Sequence, residues 1–313
     1  MDDNARETGT RHHLIQCGDS LELSKQIEPE SIDLLVTSPP YWAKRTYHNG
    51  DDEIGMEPTP EAYVERLVSF FDAMRPYLKP TANIFINIGD TYFGSGAGAW
   101  KKYATEHNDG TDYDTHASHG DGNEGTGRKP KESFVPAQPL QPKIKQNGKL
   151  YRNKQLLLIP ARFAIAMQEH RWLLRDDIIW HKPNRIPTPT RDRMKNTYEH
   201  VYHFTLNGRY FFNLDAVKIQ GSNGNPKNPG DVWSINTQAL KDSPHTATFP
   251  EELVERIIKC GSPENGVVFD PFLGTGTTWV VADALGRDCI GFELNREYFD
   301  FSKKRFNDER SGK

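Results

Sequence analysis

Cysteine is scarce in this sequence, with three residues in a chain of 313. Cys17, Cys260 and Cys289 lie far apart, and their spacing fits neither a disulfide framework nor the paired ligands of a structural zinc site. Because disulfides are rare in reducing compartments, we expect a cytoplasmic setting, and we expect no bound metal.

Long hydrophobic runs are also missing. Hydrophobic residues make up 35% of the chain, and no stretch approaches the roughly 18 apolar residues that a membrane-spanning helix needs. Residues 1–11 are polar and do not resemble a secretory signal. We therefore expect no membrane segment, while the length suffices for one large α/β domain or two small ones.

An overall excess of positive charge is missing too, because the formal net charge is −4. The charges are nevertheless segregated: residues 1–90 contain 8 Lys and Arg against 16 Asp and Glu, whereas residues 141–213 contain 14 against 5. The basic stretch is also rich in Tyr and Trp, a combination typical of nucleic-acid surfaces. Ordinary solvated charges on helix and strand faces are the alternative.

Helical and strand-like periodicities alternate along most of the chain. The predicted elements are, in order, strand Ile32–Val36, helix Glu61–Leu78, strand Ala82–Ile88, helix Gln155–His170, strands Trp172–Trp180, Glu199–Leu206 and Tyr210–Asn213, helix Glu251–Lys259, strand Val267–Phe269, helix Thr277–Leu285, strand Cys289–Phe292 and helix Arg296–Phe306. This order predicts an α/β fold with a doubly wound, mostly parallel sheet covered on both faces.

Two segments interrupt the alternation. Residues 94–150 are a polar insertion rich in Gly, His, Asp, Asn and Pro, and residues 215–244 are loop-like although they contain Trp233 and Ile235. Loops on a rigid α/β scaffold often carry recognition residues, so we expect these segments to contact a partner. Inert surface excursions are the alternative.

A rigid loop, residues 37–42 with the sequence TSPPYW, follows the first predicted strand. Each proline fixes its own φ and holds the preceding residue extended. Because proline has no N–H, the loop offers the Ser38 hydroxyl and the Pro39 carbonyl as acceptors, which suits an amino group. The faces of Tyr41 and Trp42 would stack on a planar heterocycle, and a place in the hydrophobic core is the alternative for Trp42. A strand that simply stops at two prolines is the alternative.

A second loop, residues 270–278 with the sequence DPFLGTGTT, joins a predicted strand to a helix. Gly274 and Gly276 let its backbone turn tightly and approach a ligand at the helix N-terminus. Trp279 stands where the dinucleotide fingerprint has its third glycine, so the sequence does not support pyrophosphate binding. Glu293 ends the next strand, where an acid accepts hydrogen bonds from ribose hydroxyls.

The first residue of this second loop, Asp270, would bind a positively charged amino group, such as that of S-adenosylmethionine. Helix capping is the alternative role for Asp270 and for Glu293. Ligands of open α/β sheets bind beyond the carboxyl ends of strands, where the strand order reverses. If the strands ending at Val36 and Phe269 are neighbours there, Ser38 faces the same crevice as the glycine-containing loop.

These motifs resemble those of DNA amino-methyltransferases of the β arrangement, in which the catalytic loop precedes the cofactor loop. The similarity extends over Gly18-Asp19, the Ser-Pro-Pro-Tyr loop, Trp180–Asn184, Asn196–Phe204, His245–Leu253 and Asp270–Thr278. It implies a single permuted methyltransferase domain over residues 1–313, of the Rossmann-like S-adenosylmethionine-dependent type with inserted DNA-recognition loops. The target-recognition region would be 186–245 and the cofactor-binding half 246–313.

The resemblance implies S-adenosylmethionine as the cofactor. Its expected contacts are Asp19, His245, Phe249, Asp270, Phe272, Gly274, Gly276, Thr277, Thr278 and Glu293. The expected catalytic residues are Ser38, Pro39, Pro40 and Tyr41. Those expected to contact the substrate or its DNA are Trp42, Lys182, Asn184, Arg185, Arg191, Arg193 and Lys195.

Double-stranded DNA is the expected partner, and a cognate restriction endonuclease is a candidate partner. The chain would act as a monomer or homodimer in the cytoplasm, near the nucleoid, of a prokaryote, or would be encoded by a phage. Ser at the first loop position is typical of the subgroup that methylates N4 of cytosine, so we expect direct transfer to the amine of a flipped cytosine.

Adenine-N6 methylation on the same scaffold is the main alternative, because Asp is more frequent at the first loop position in those enzymes. An RNA or protein-amide methyltransferase and a catalytically inactive DNA-binding subunit are further alternatives. Methylation at cytosine C5 is disfavoured, since it needs a cysteine nucleophile and none of the three cysteines lies in the Pro-Pro loop.

Overall fold

The computed structural model describes residues 11–42, 53–93, 144–146, 149–152, 154–185, 191–243 and 248–312. These residues form an eight-stranded sheet with helices on both faces, and two separate two-stranded sheets. The described helices are α1 (Ser20–Ser24), α2 (Pro60–Met74), α3 (Ile159–Glu169), α4 (Glu251–Gly261), α5 (Thr277–Ala284) and α6 (Arg296–Arg310). The described strands are β1 (His13–Cys17), β2 (Ile32–Thr37), β3 (Leu78–Ile88), β4 (Ile144–Gln146), β5 (Lys149–Tyr151), β6 (Leu173–His181), β7 (Tyr198–Thr205), β8 (Ile219–Gln220), β9 (Pro226–Lys227), β10 (Val232–Ser234), β11 (Val267–Asp270) and β12 (Asp288–Glu293).

The main sheet has the order β1-β12-β11-β2-β3-β7-β6-β10. Its pairings are parallel except for those of β7, which runs antiparallel to both β3 and β6. The mostly parallel, doubly wound sheet predicted from the sequence is therefore confirmed. The first and last of the described strands are adjacent, because Cys17 of β1 is in register with Glu293 of β12.

Two hydrophobic clusters cover the two faces of the sheet. Alternate residues of each buried strand point to opposite faces, so Leu35 and Ile84 belong to the cluster that α2 and α3 cover. Leu34 and Phe85 belong to the cluster that α4 and α5 cover. The central strands are buried on both sides, which explains why their sequences are continuously apolar.

The second helix, α2, starts as its sequence predicts and ends earlier than predicted. The Thr59 side chain accepts a hydrogen bond from the Ala62 N–H, and Pro60 occupies the first turn, where its missing N–H is harmless. The prediction extended the helix to Leu78. It ends at Met74 because Pro76 cannot continue it, and a 3-10 turn leads into β3.

One strand prediction and one loop prediction near β7 were wrong. Tyr210–Asn213 is not a strand, because its N–H groups bond to two different elements: Phe211 donates to Thr81 of β3 and Asn213 donates to Cys260 of α4. The loop-like segment 215–244 contains β10, which pairs with β6 and buries Trp233.

Several sequence predictions fall on parts of the chain that are not described. Most of the polar insertion 94–150 lies there, as do residues 186–190 and 244–247. The division of the chain into a target-recognition region and a cofactor-binding half stays a prediction. Within the described ranges, no helix is both long enough and apolar enough to span a membrane.

The stability of the fold should depend on the cluster under α2. Phe71 is fully buried there against Phe70 and Phe163. Phe71→Ala should lower the free energy of unfolding by about 3–5 kcal/mol, because it leaves a cavity in the core. Ile165→Ala is the control, since 57% of Ile165 is exposed and its loss should change stability by less than about 0.5 kcal/mol. Urea unfolding compares the two, and equal effects would contradict this account of the core.

Candidate active site

The strand order reverses between β2 and β11. From β2 the chain continues to the neighbouring β3 on one side, and from β11 it continues to β12 on the other. A cavity of about 810 Å³ lies at the loops that follow these strands, with Ser38 and Gly274 both in its wall. This volume lies within the range of small-molecule sites. The shared crevice predicted from the sequence is therefore present.

A single buried carboxylate joins the two loops at this switch point. Asp270 Oδ1 accepts hydrogen bonds from Thr37 Oγ1 at 2.6 Å and from the Phe272 N–H at 3.1 Å, and Oδ2 accepts one from Thr278 Oγ1 at 2.6 Å. Burial raises the pKa of Asp270 to about 6, although the hydrogen bonds from Thr278 and Thr37 oppose this shift. Asp270 thus links β11 to the end of β2 and to the first turn of α5.

A second buried carboxylate, Glu293, shapes the wall of the cavity beside Gly274. Its Oε2 accepts from the Gly274 N–H at 2.7 Å and its Oε1 from the Asn295 N–H at 2.8 Å. Burial raises the pKa of Glu293 to about 7, and the charge of Asp270 adds to the effect. Gly274 has a φ of +55°, and a Cβ added to it would meet nothing closer than 3.9 Å. The backbone there leaves open space beside a strong acceptor.

The Ser-Pro-Pro-Tyr loop is tied into a hydrogen-bonded group of polar side chains. Ser38 Oγ lies 3.4 Å from Tyr41 Oη and 3.5 Å from Asn87 Oδ1. The Tyr41 hydroxyl donates to Glu199 Oε2 at 2.8 Å and lies 3.2 Å from Asn87 Oδ1. Burial and the negative charge of Glu199 raise the pKa of Tyr41 well above its ordinary value, so the phenol keeps its proton at neutral pH.

The Glu199 carboxylate is itself held by a cation. Lys182 Nζ lies 2.6 Å from Glu199 Oε1, and the side chains are 9% and 13% exposed. The same ammonium lies 3.8 Å from the centre of the Trp180 ring, where a cation is attracted to the aromatic face. Glu199 is the second residue of β7 and Lys182 directly follows β6, so this pair lies where the connection between the two strands begins and ends.

Comparison with known proteins shows to which family the sequence belongs. The family model of DNA methylases, N6_N4_Mtase, matches residues 32–304. This chain belongs to the N6/N4 DNA methylase family. The type II methyltransferase M.SmaI of Serratia marcescens is 36% identical over 303 residues, which cover 96% of this chain and 92% of that protein. M.Cfr9I of Citrobacter freundii is 32% identical over 292 residues, covering 93% and 87%.

Solved structures share the fold of this DNA methylase. The cytosine-N4-specific PvuII DNA methyltransferase superposes with a TM-score of 0.66 at 21% identity, covering 95% of this chain and 87% of that one. A putative DNA modification methylase of Thermus thermophilus, solved in complex with S-adenosyl-L-methionine, superposes with a TM-score of 0.58 at 22% identity, covering 96% and 97%. The doubly wound architecture is thus that of DNA methyltransferases.

Most site residues predicted for the methylase line this cavity, although their individual roles stay predictions. They are Asp19, Ser38, Pro39, Pro40, Tyr41, Lys182, Arg185, Phe249, Asp270, Phe272, Gly274, Thr277, Thr278 and Glu293. His245, also predicted to bind the cofactor, lies outside the described residues. Lys182, predicted to contact the substrate or its DNA, is a buried partner of Glu199.

Two predicted site residues are corrected by the structure of the methylase. Trp42 is 2% exposed, packs in the core cluster and donates to the Glu57 carbonyl at 2.8 Å, so its ring does not line the cavity. Gly276 is absent from the cavity wall. A Cβ at that position would lie 2.9 Å from the Ser302 Cβ on α6, so the glycine serves helix packing.

The remaining predicted DNA contacts lie outside the cavity. Arg191 and Arg193 are exposed on the β6–β7 hairpin, and Arg193 stacks over the Tyr92 ring at 4.0 Å. Lys195 donates to the Arg185 carbonyl, which closes the hairpin near the cavity mouth. Asn184 holds the backbone of residue 237 through two hydrogen bonds.

Several cavity residues of the methylase were not identified from the sequence. Asn87 and Glu199 complete the polar group around Ser38, and the Asn87 signal was available, since it is a polar residue within an apolar strand. One face of α2 also lines the cavity. Its members are Arg66, Ser69, Phe70 and Ala73. The last three follow Arg66 by three, four and seven residues, which places all four on one helical face.

The two raised carboxyl pKa values predict how the stability of the cofactor-free methylase depends on pH. The folded-state pKa values are about 6 for Asp270 and about 7 for Glu293. At pH values between the ordinary pKa of each group and its raised pKa, the folded state binds more protons than the unfolded state. The free energy of unfolding therefore falls as the pH rises through this range. Glu293→Gln removes one such group. Its stability relative to wild type should therefore increase by up to about 3 kcal/mol between about pH 4.5 and about pH 8.

Denaturant unfolding of both proteins at several pH values measures this difference. Asp300→Asn, which removes an exposed carboxylate paired with Arg296 on α6, is the control. A stability difference between Glu293→Gln and wild type that does not change with pH would contradict the raised pKa of Glu293.

Proposed function

We propose that this chain transfers a methyl group from S-adenosylmethionine to the N4 amino group of a flipped cytosine in double-stranded DNA. The observation that carries the proposal is the position of Ser38 and Glu293 on one cavity, at the ends of strands on either side of the switch point. A methyl donor and an amine acceptor bound there would meet.

The methyl donor of this family is S-adenosylmethionine, and the predicted cofactor is confirmed at that level. The described residues fit it. Glu293 offers carboxylate oxygens for the ribose hydroxyls, Gly274 leaves room for close approach, and Phe272 supplies an aromatic wall that packs on Phe70 at 4.7 Å. When bound, S-adenosylmethionine supplies an electrophilic methyl group on a positively charged sulfur. The anionic Asp270 favours a cationic ligand.

On the acceptor side, the loop holds an amine without acting as a strong base. The Ser38 hydroxyl can give its own hydrogen to Tyr41 or Asn87, which leaves its lone pairs for the N–H groups of the amine. The Pro39 carbonyl is the second proposed acceptor. Two such hydrogen bonds would favour a tetrahedral nitrogen and aim its lone pair at the methyl group. The proton lost after transfer leaves to water.

Ser38 supports cytosine over adenine, because Ser at the first loop position is typical of the cytosine-N4 subgroup. The PvuII enzyme, which shares the fold, is cytosine-N4-specific. Adenine-N6 methylation is the second candidate, since the family includes both activities. The exposed basic residues of the β6–β7 hairpin support DNA as the substrate, and the type II relatives support a cognate restriction endonuclease as a partner.

The base that is methylated tests the proposal directly. Unmethylated duplex DNA incubated with the protein and labelled S-adenosylmethionine should yield N4-methylcytosine after digestion to nucleosides. Ser38→Ala is the matched control, and it should lose about 10²–10³ in turnover while its affinity for S-adenosylmethionine changes less than about twofold. A product containing only N6-methyladenine would overturn the cytosine assignment.

The hairpin predicts the salt dependence of DNA binding. Each phosphate contact contributes about 0.9 to the slope of log affinity against log salt, so Arg191→Ala with Arg193→Ala should reduce the slope by about two. Fluorescence anisotropy at roughly 50–200 mM salt measures it. The paired control is Lys303→Ala with Arg310→Ala on α6, which packs on β1 and β12 at the far end of the sheet. Equal slopes for the two double variants would show that DNA binds to a different surface of the protein.

A further inference from the structure

The hydroxyl of Ser38 is useful to an amine only in one orientation. A serine hydroxyl is both a donor and an acceptor, and an amine that must offer its N–H groups needs acceptors. If the Ser38 hydrogen pointed into the cavity, it would compete for the nitrogen lone pair that must attack the methyl group. Something in the site therefore has to turn this hydrogen away from the substrate.

The neighbours of Ser38 are arranged to accept its hydrogen. The Asn87 amide donates from Nδ2 to the His200 carbonyl at 3.0 Å, which directs Oδ1 toward Ser38 and Tyr41 as an acceptor. The Tyr41 hydroxyl has one hydrogen, and Glu199 Oε2 takes it at 2.8 Å. Because that hydrogen is committed to Glu199, the Tyr41 oxygen faces Ser38 as an acceptor.

Glu199 can impose this direction only while it is ionised, since a carboxylate accepts and does not donate. Lys182 Nζ, 2.6 Å from Glu199 Oε1 in a pair about 90% buried, favours the charged form. Packing also keeps the tyrosine in place: a Cβ added at Gly89 would lie 2.7 Å from Tyr41 Cε2 and 3.2 Å from Glu199 Cδ. The ring and the carboxylate therefore fit closely against this glycine.

We infer that Glu199, held by Lys182, is a positioning residue that fixes the direction of the hydrogen-bond chain from Ser38 through Tyr41 to Glu199. The chain keeps the Ser38 hydrogen on the protein side and presents only lone pairs to the substrate amine. The inference rests on the proposed transfer to an exocyclic amine, and it assigns a role to a residue outside the Ser-Pro-Pro-Tyr loop.

The decisive variant is Glu199→Gln, which keeps the size of the side chain but adds an N–H donor that can reverse the direction of the chain. It should lower kcat about tenfold, leave the affinity for S-adenosylmethionine within about twofold, and change KM for DNA less than kcat. Asp177→Asn is the matched control. It removes a carboxylate on β6 that pairs with His200, the residue that follows Glu199 in the chain. Asp177 is not part of the cavity wall.

A double-variant cycle separates this role from a structural one. Tyr41→Phe removes the link between Glu199 and Ser38 and keeps the aromatic ring, so Glu199→Gln should lower kcat less than about twofold in that background. The loss of thermal stability from unpairing Lys182 should persist in both backgrounds. Wild-type kcat in Glu199→Gln, or equal losses of about tenfold in both backgrounds, would overturn the inference.

The same assays keep this test independent of the proposed function. The inference is judged from the ratio of each variant to wild type, on whichever base the wild type methylates. The proposed function is judged from the identity of the wild-type product. A wild type that makes N6-methyladenine would refute the cytosine assignment and leave the cycle on Glu199 interpretable, while absence of transfer to any amine would refute both.

Discussion

The buried carboxylate of Asp270 is the constraint on which the rest of the site depends. Its three hydrogen bonds join Thr37 at the end of β2, the backbone just after β11 and Thr278 in the first turn of α5. Thr37 immediately precedes Ser38, so Asp270 holds the start of the Ser-Pro-Pro-Tyr loop against the glycine-containing loop. Because these contacts are made in space, the two loops line one cavity although they are far apart in sequence.

The constraint has an energetic consequence for the free protein. Asp270 and Glu293 are both buried, and burial raises both pKa values because charged groups lose hydration. A ligand that brings a positive charge and two hydroxyl donors stabilises the ionised forms that burial disfavours. This electrostatic contribution is part of the affinity for such a cofactor, and the folding stability that binding adds follows from that affinity.

The parts of this site that the sequence predicts are those that follow a buried strand. Ser38 directly follows β2 and Glu293 is the last residue of β12, and the carboxyl ends of parallel strands meet at one edge of the sheet. Trp42 and Gly276 were misassigned because their surroundings are tertiary: one is buried by the packing of α2 and the other by α6. Glu199 escaped prediction because its pairing depends on the register of β6 against β7, which no local pattern specifies.

The reversal of β7 explains why the exposed Arg191 and Arg193 share a segment of chain with Glu199. If β7 ran parallel to β6, the chain would have to return from the carboxyl end of β6 to the opposite end of the sheet before β7 could begin. Because it is antiparallel, the connection is a hairpin that stays at the carboxyl edge, beside the cavity. The hairpin carries exposed Arg191 and Arg193 in its outer part and the Lys182–Glu199 pair at its base. A group that binds to the outer part of the hairpin is therefore connected to Tyr41 through Lys182, which follows β6, and Glu199, which lies on β7.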